Sequence, residues 1–189
     1  MKKAIISGVT GQDGSYLSEL LISKNYEVHG LMRRSSVFNT ERIDHLNNEY
    51  EKKGIFNTHY ADLTDTSSLR NIIQEVKPDE FYNLGAMSHV GVSFYTAESV
   101  LNINSLGAYR VLDILKEIAP KCRYYQASSS EMFGASPPPQ NEKTTFLPQS
   151  PYGISKVAAY HTTKYFRNAN KMFCSNGILF NHESPRRGL

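Results

Sequence analysis

Three observations predict an α/β fold built on a doubly wound parallel sheet. Short apolar runs alternate with helical periodicities along the chain, the crossovers run to about a dozen residues or more, and a glycine triplet punctuates the first strand-to-helix turn. The first strand is "KAIISG" (3 to 8), and residues 12 to 24 carry Tyr16, Leu17, Leu20 and Leu21 at helical spacing. Strands follow at 26 to 32 and 54 to 62, then a helix from Ser67 to Val76 capped by Thr66 or Asp65. A fourth strand is expected at 79 to 86, a long helix at 97 to 118, a fifth strand at 122 to 129, a helix at 152 to 171 and a sixth strand at 174 to 180. The proline-rich stretch 134 to 151 breaks the alternation and reads as a surface loop.

A chain of 189 residues suits one well-buried domain and is short for two. Its 40% hydrophobic and 21% charged content place it in the soluble globular class. A net charge of +3 with scattered basic residues argues against a nucleic-acid partner. The start "MKKAIISGV" is read as a strand rather than a secretory signal, because its apolar stretch stops at the glycine turn. No run approaches the roughly 20 apolar residues of a membrane span. Cys122 and Cys174 read as buried reduced thiols in a cytoplasmic protein, and the histidines show no metal-ligand spacing.

"SGVTGQDGSYL" holds Gly8, Gly11 and Gly14 between a strand and a helix. A sharp turn, close approach of a pyrophosphate to main-chain N–H groups and tight packing of helix on strand each need a missing Cβ. This is the signature of a dinucleotide-binding Rossmann fold. The second strand ends in "LMRRSS", where an NAD site usually offers a carboxylate to the ribose 2′-hydroxyl. Arg33, Arg34 and Ser35 instead suit a 2′-phosphate, so the expected cofactor is NADP. Asp62, closing the third strand, can accept from the adenine amino group or cap the following helix.

"SPYGISK" sets Tyr152 and Lys156 four residues apart on one helical face. A phenol with its usual pKa of ~10 serves as a base near neutrality only if its phenolate is stabilised by about 4 kcal/mol. A neighbouring ammonium and a positive nicotinamide ring would favour that phenolate. Just past the fifth strand, "ASSSEMFG" offers the Ser129 hydroxyl to a substrate oxygen and the Glu131 carboxylate to a carbon-bound proton, at the sheet edge where such folds bind ligands.

Together, "GVTGQDGSYL", "RRSS", "NLGAMSHVGVSF", "QASSSEMFG", "SPYGISK" and "NGILFNHESPRRG" resemble the extended short-chain dehydrogenase/reductase enzymes of nucleotide sugars, most closely the GDP-mannose 4,6-dehydratases. "GQDG" and "NHESPRRG" discriminate best. The resemblance implies Ser129, Glu131, Tyr152 and Lys156 as catalytic residues, with Ser88, Ser129, Glu131 and Asn181 toward the substrate. It extends the cofactor site from Gly8, Gly11, Gly14, Arg33, Arg34, Ser35 and Asp62 to Thr10, Gln12, Asp13, Leu63, Leu84, Gly85, Ala86, Ser88, His182 and Arg187, beside Tyr152 and Lys156. Arg186 reads as either a site residue or a solvated neighbour. Two departures stand out: Met87 replaces the family's usual glutamine, and Ser129 the commoner threonine.

The substrate so implied is GDP-mannose, and the assembly a homo-oligomer, dimer or tetramer, with "RRSSVFNTERIDHL" at a subunit contact. The family also implies that residues 1 to 189 are the NADP-binding domain and that a C-terminal substrate domain is missing. The chain alone is then expected to bind NADP(H) and to turn over substrate poorly, since the groups that position the sugar nucleotide are absent. A 4-epimerase, a dehydratase of another nucleotide sugar and a non-catalytic dinucleotide-binding module are the rival readings.

Overall fold

The computed structural model describes residues 1–36 and 39–187. Six parallel strands lie in the order β3-β2-β1-β4-β5-β6, comprising β1 Lys2–Ser7, β2 Tyr26–Met32, β3 Phe56–Tyr60, β4 Glu80–Asn83, β5 Arg123–Ser129 and β6 Cys174–Leu179. The order reverses between β1 and β4, and that switch point opens a crevice at the carboxyl ends of the strands. The helices are α1 Gln12–Ser23, α2 Asp44–Tyr50, α3 Thr66–Val76, the single turns α4 Val90–Ser93 and α5 Ala97–Val100, α6 Gly107–Ile118 and α7 Pro151–Ala169.

Strand residues alternate between two cores because successive Cβ atoms point to opposite faces. Ile5, Leu31, Phe81 and Tyr124 pack beneath Leu69 and Ile73 of α3, Val111 and Leu115 of α6 and Phe166 of α7. Ala4, Ile6, Val28 and Phe56 pack on the other face with Leu21 of α1 and Leu46 of α2. At the carboxyl edge a buried polar chain crosses the sheet. The Gly85 N–H donates to Ser7 Oγ (3.0 Å) and Ser7 Oγ donates to Asn83 Oδ1 (2.6 Å). Asn83 Nδ2 and the Tyr124 hydroxyl both donate to Gln126 Oε1 (2.9 and 2.5 Å). This chain holds the β1 and β4 exits in fixed register beside the switch point.

Two features differ from the sequence expectation, and a third settles a choice it left open. The helix expected at 97 to 118 is interrupted by π-helical turns at Leu101–Leu106, within which Asn104 is buried. The short α2 and α4 carry too few apolar residues to show a period. The cap of α3 is Asp65, whose carboxylate accepts from the Ser67 and Ser68 N–H groups, so Asp62 is free of that task. The expected loop runs from 134 to 150, with Pro151 already opening α7, and is clamped by Phe146 between Phe133 and Tyr160 (5.4 and 4.9 Å between ring centroids). Cys122 and Cys174 are buried free thiols, pushed up by burial to about 12 and about 11. Among the described residues no helix is long and apolar enough to cross a membrane, and no cluster of His, Cys, Asp or Glu is placed to hold a metal.

Candidate active site

The glycine turn is built by crowding. Gly8 has a φ of +72°, and a Cβ there would lie 2.8 Å from the Gly85 backbone. A Cβ on Gly14 would lie 2.4 Å from the Gly8 carbonyl oxygen. β1, β4 and α1 therefore close on one another only with bare backbone at these points. Gly11 precedes α1 with no side-chain cap, leaving the first-turn N–H groups facing the crevice.

Two adjoining hollows share Gly8, Ala86 and Ser88. The first, about 380 Å³, runs from Thr10 and Gly85 to the ends of β2 and β3, with Arg33, Asp62 and Leu63 in its wall. The second, about 300 Å³, runs over the α1 amino terminus past Gly11, Gln12, Asp13, Gly14 and Leu84 to Ser129, Tyr152 and Lys156. Asn181, His182 and Arg187 line its far side. The sequence-expected residues thus gather along one groove, except Arg34, Ser35 and Glu131. Arg34 stands over the Tyr60 ring, 5.0 Å from its centroid. Asp62 lines the groove while its Oδ1 accepts from the N–H and hydroxyl of Thr64, closing a local turn. Arg110 bridges the Leu63 and Asn102 carbonyls (3.1 Å each), pinning this wall to the π-helical turns.

At the other end, Ser150 caps α7 by accepting from the Gly153 N–H (3.0 Å), and Pro151 starts the helix. Tyr152 and Lys156 are both buried on the face toward β5. Lys156 Nζ donates to the Ala127 carbonyl (2.9 Å) and sits 5.7 Å from the centre of the Tyr152 ring. Gly153 lets the chain carrying Glu131 come close, since a Cβ there would lie 2.8 Å from the Glu131 carbonyl oxygen. Glu131 is itself exposed, and its N–H donates to Ser129 Oγ (3.2 Å).

The electrostatics reverse one sequence expectation. Burial raises the Tyr152 phenol above its usual range, a hydrogen bond with Ser129 lowers it in part, and the Glu131 carboxylate raises it further. The Lys156 ammonium, itself pushed down to about 8 by burial, is not among the groups that lower the phenol. Both groups lose water together, and desolvation disfavours both charges. The phenol would need a further positive charge beside it to become a base.

Sequence reasoning missed Asn104 and Ser155. Asn104 Oδ1 accepts from the Met87 N–H (2.9 Å), its Nδ2 donates to the Met87 carbonyl and to Ser155 Oγ, and Ser155 Oγ donates to the Tyr152 carbonyl (2.7 Å). One buried amide thus ties the wall of the first hollow to the helix turn bearing Tyr152. Its sequence signal is a polar residue at the helical spacing of the apolar face, four residues after Val100 and four before Ala108. Arg186 is not a solvated neighbour: its guanidinium bonds Ser15 and Glu19 and stacks on Tyr16.

A family model described as GDP-mannose 4,6 dehydratase matches residues 5–189. The chain is 54% identical to "GDP-mannose 4,6 dehydratase 2" of Arabidopsis thaliana, over 99% of this chain and 52% of that protein. It is 53% identical to the Homo sapiens "GDP-mannose 4,6 dehydratase", over 98% and 51%. The chain spans about half the length of the curated relatives it matches. In fold it is similar to the UDP-Glc/GlcNAc 4-epimerase of Campylobacter jejuni (TM-score 0.84, 20% identity, 95% of this chain and 53% of that one). It is also similar to DesIV, a dTDP-glucose 4,6-dehydratase from Streptomyces venezuelae solved with NAD and TYD bound (TM-score 0.82, 20% identity, 98% and 57%). The glycine turn, the buried tyrosine-lysine pair and the match across residues 5–189 agree: this chain belongs to the GDP-mannose 4,6-dehydratase family.

Proposed function

We propose that this chain is the dinucleotide-binding and catalytic part of a nucleotide-sugar 4,6-dehydratase that converts GDP-mannose to GDP-4-keto-6-deoxymannose with NADP as cofactor. The observation that carries the reading is the single groove running from the bare glycine turn to Tyr152, Lys156 and Ser129, with the Glu131 charge felt at the phenol.

The fit to a dinucleotide is supported by a cradle that any Cβ at Gly8 or Gly14 would fill and by the uncapped α1 amino terminus. Thr10, Gly11, Gln12 and Asp13 would border its pyrophosphate; Asp62, Leu63, Leu84, Gly85, Ala86 and Ser88 would wall the adenosine side and the centre; His182 and Arg187 would close the nicotinamide side. Arg33, with Arg34 and Ser35 behind it, favours a 2′-phosphate and hence NADP. When bound, the cofactor supplies a hydride acceptor, then a hydride donor, and in its oxidised form a positive charge.

Tyr152, held by Ser129, takes the proton of the sugar 4-hydroxyl as C4 is oxidised. The 4-keto group acidifies the neighbouring C5–H bond, and Glu131 removes that proton. The same carboxyl then returns it to the departing C6 hydroxyl, which leaves as water, and the C5=C6 double bond so formed gains a hydride at C6 and a solvent-derived proton at C5. Lys156 orients the ring of Tyr152 from its anchor on Ala127. Asn181 and Ser88 stand where the sugar nucleotide would enter.

The proposal includes a C-terminal domain that grips the GDP moiety and a cytoplasmic homo-oligomer, a dimer or tetramer. Exposed Leu106, Tyr109, Ile154 and Tyr165 on and beside α6 and α7 support a contact between copies. Of the stretch expected at a subunit contact, Val37 and Phe38 lie outside the described residues. The test is product analysis in D₂O with GDP-mannose and NADP⁺, on this chain and on the reading frame it comes from. The reading expects a 4-keto-6-deoxy product labelled at C5, formed slowly by the chain alone and lost on Glu131→Gln. A 4-epimerised product with no loss of water would favour the epimerase reading and sink this one.

A further inference from the structure

The residues after β6 lie along α1 instead of leaving the fold. Gln12 Oε1 accepts from Ser184 Oγ (2.7 Å), and Gln12 Nε2 donates to the His182 carbonyl (3.3 Å). His182 Nε2 meets the Asp13 carboxylate at 2.7 Å. Farther along the helix, Arg186 donates to Ser15 Oγ (3.1 Å), lies 4.1 Å from the centre of the Tyr16 ring and donates to Glu19 Oε1 (2.6 Å). The stretches "GQDG" and "NHESPRR", most of 170 residues apart in the chain, are therefore one interlocked unit.

Glu19 is the junction of that unit. The oxygen that takes Arg186 is also 2.6 Å from His45 Nε2 on α2, and Arg42 Nε donates to the Arg186 carbonyl (2.7 Å). Burial alone would raise the Glu19 carboxyl, but the hydrogen bonds from Arg186 and His45 outweigh it and hold it below the usual carboxylate range. Two arms of the chain thus meet at one carboxylate. The first leaves β2 through Arg33 and Asn39, which border the adenosine-side hollow. The second leaves β6 through Asn181, His182 and Arg187, which border the nicotinamide-side hollow. Glu19 itself borders neither.

We propose that Glu19 is a positioning residue for cofactor binding, fixing the tail across α1 through Arg186 so that His182 and Arg187 close the pyrophosphate and nicotinamide half of the groove. This rests on the dinucleotide reading given above. The chemistry is economical: a short tail ordered in advance does not have to lose its freedom when the ligand arrives, so the affinity it confers depends on the latch that orders it. The adenosine half is walled mainly by the ends of β1, β2 and β3, by Leu69 of α3 and by residues 85–89, and only its Arg33–Asn39 edge leads on to the latch, so loosening the latch weakens the nicotinamide half of the ligand more than the adenosine half.

The experiment titrates the chain and its Glu19→Gln, Arg186→Met and doubly substituted forms with NADPH and with adenosine 2′,5′-bisphosphate, which reaches only the adenosine side. Each single substitution is expected to weaken NADPH about tenfold, the scale of losing a charge-assisted hydrogen bond, and the double form about as much as either one. Affinity for the bisphosphate should stay within about twofold in Arg186→Met, which leaves the Glu19–His45 contact of the adenosine-side arm in place, and should fall less than that for NADPH in Glu19→Gln. Equal losses for both ligands, or NADPH affinity unchanged within about twofold in both single forms, overturn the assignment. Arg186→Met gives the same reading if Glu19→Gln fails to fold. If the unsubstituted chain binds neither ligand, the dinucleotide reading itself fails, a result distinct from selective survival of NADPH binding in the substituted forms.

Discussion

The two ends of the groove are specified by opposite means. At the β1–α1 turn the structure depends on side chains that are missing: Gly8 and Gly14 leave backbone atoms so close that nothing else fits. At the β5–α7 corner it depends on side chains that are present, buried and paired, where Tyr152, Lys156 and Ser155 fill space and carry hydrogen bonds. The first end is intolerant of any addition. The second tolerates a substitution of the same shape, but such a change removes the chemistry. Binding and catalysis should therefore separate cleanly under mutation.

The largest effect is expected at the turn. Gly14→Val sets new carbon atoms against the Gly8 carbonyl and the Val9 backbone, at 2.4 and 2.7 Å for the Cβ alone. NADPH binding should vanish in a fluorescence titration, with about 3 kcal/mol of stability lost to overpacking. Gly54→Ala is the control, because no atom lies within 4 Å of its Cβ and only its φ of +65° resists. It should cost about 1–2 kcal/mol and leave binding untouched.

Tyr152→Phe probes the other end. It keeps the buried ring and deletes the hydroxyl that meets Ser129. Turnover should fall about 10³-fold, as for loss of a positioned acid-base group, while NADPH affinity holds. A parallel loss of both would show that the corner is as indivisible as the turn.

Lys156 separates charge from shape. Burial pushes its ammonium down to about 8, whereas the unfolded chain keeps that proton to about 10.4. Between those values the unfolded state binds the extra proton, so this group makes stability rise with pH; below about 8 the folded protein bears the full cost of the buried charge. Relative to the unsubstituted chain, Lys156→Met should be more stable at pH 7 by about 3 kcal/mol before allowing for the lost bond to Ala127, with the advantage vanishing by about pH 10. Urea midpoints across pH 7 to 10 measure it. A constant difference would mean that the folded lysine keeps the proton affinity of the unfolded chain, as a hydrated ammonium would.

The same contrast explains how much could be read from the sequence. Missing side chains leave an unmistakable mark, and Gly8, Gly11 and Gly14 declared both the fold and the groove. The shared buried face of Tyr152 and Lys156 was legible through their helical spacing, and the place of Ser129 beside them through its position at the end of a strand, whereas Glu131 stands exposed outside the groove. The sign of the Tyr152 shift was not legible, because it depends on how much water each group loses, and burial belongs to the assembled structure. Asn104 sits at the spacing of the buried face, four residues from both Val100 and Ala108, but only the assembled structure shows the Met87 and Ser155 groups that a buried amide there would meet. The Glu19–Arg186 pair spans 167 residues, and no local pattern connects its partners.

The smallest effects concern the cofactor's 2′ position, where "RR" reads as a pair but the structure divides it. Arg33 lines the adenosine-side hollow, whereas the Arg34 guanidinium stacks on Tyr60 outside it. A guanidinium already engaged with an aromatic face has less to offer an arriving phosphate. Arg33→Ala should lower the preference for NADPH over NADH about tenfold, the scale of one charge-assisted phosphate contact, and Arg34→Ala about twofold. The measurement is the ratio of the two dissociation constants at fixed ionic strength, because screening by salt would otherwise blur so small a difference. Were Arg34→Ala the more damaging change, the stack on Tyr60 would have to give way when the ligand binds. This end of the groove would then be shaped by movable side chains, unlike the glycine turn beside it.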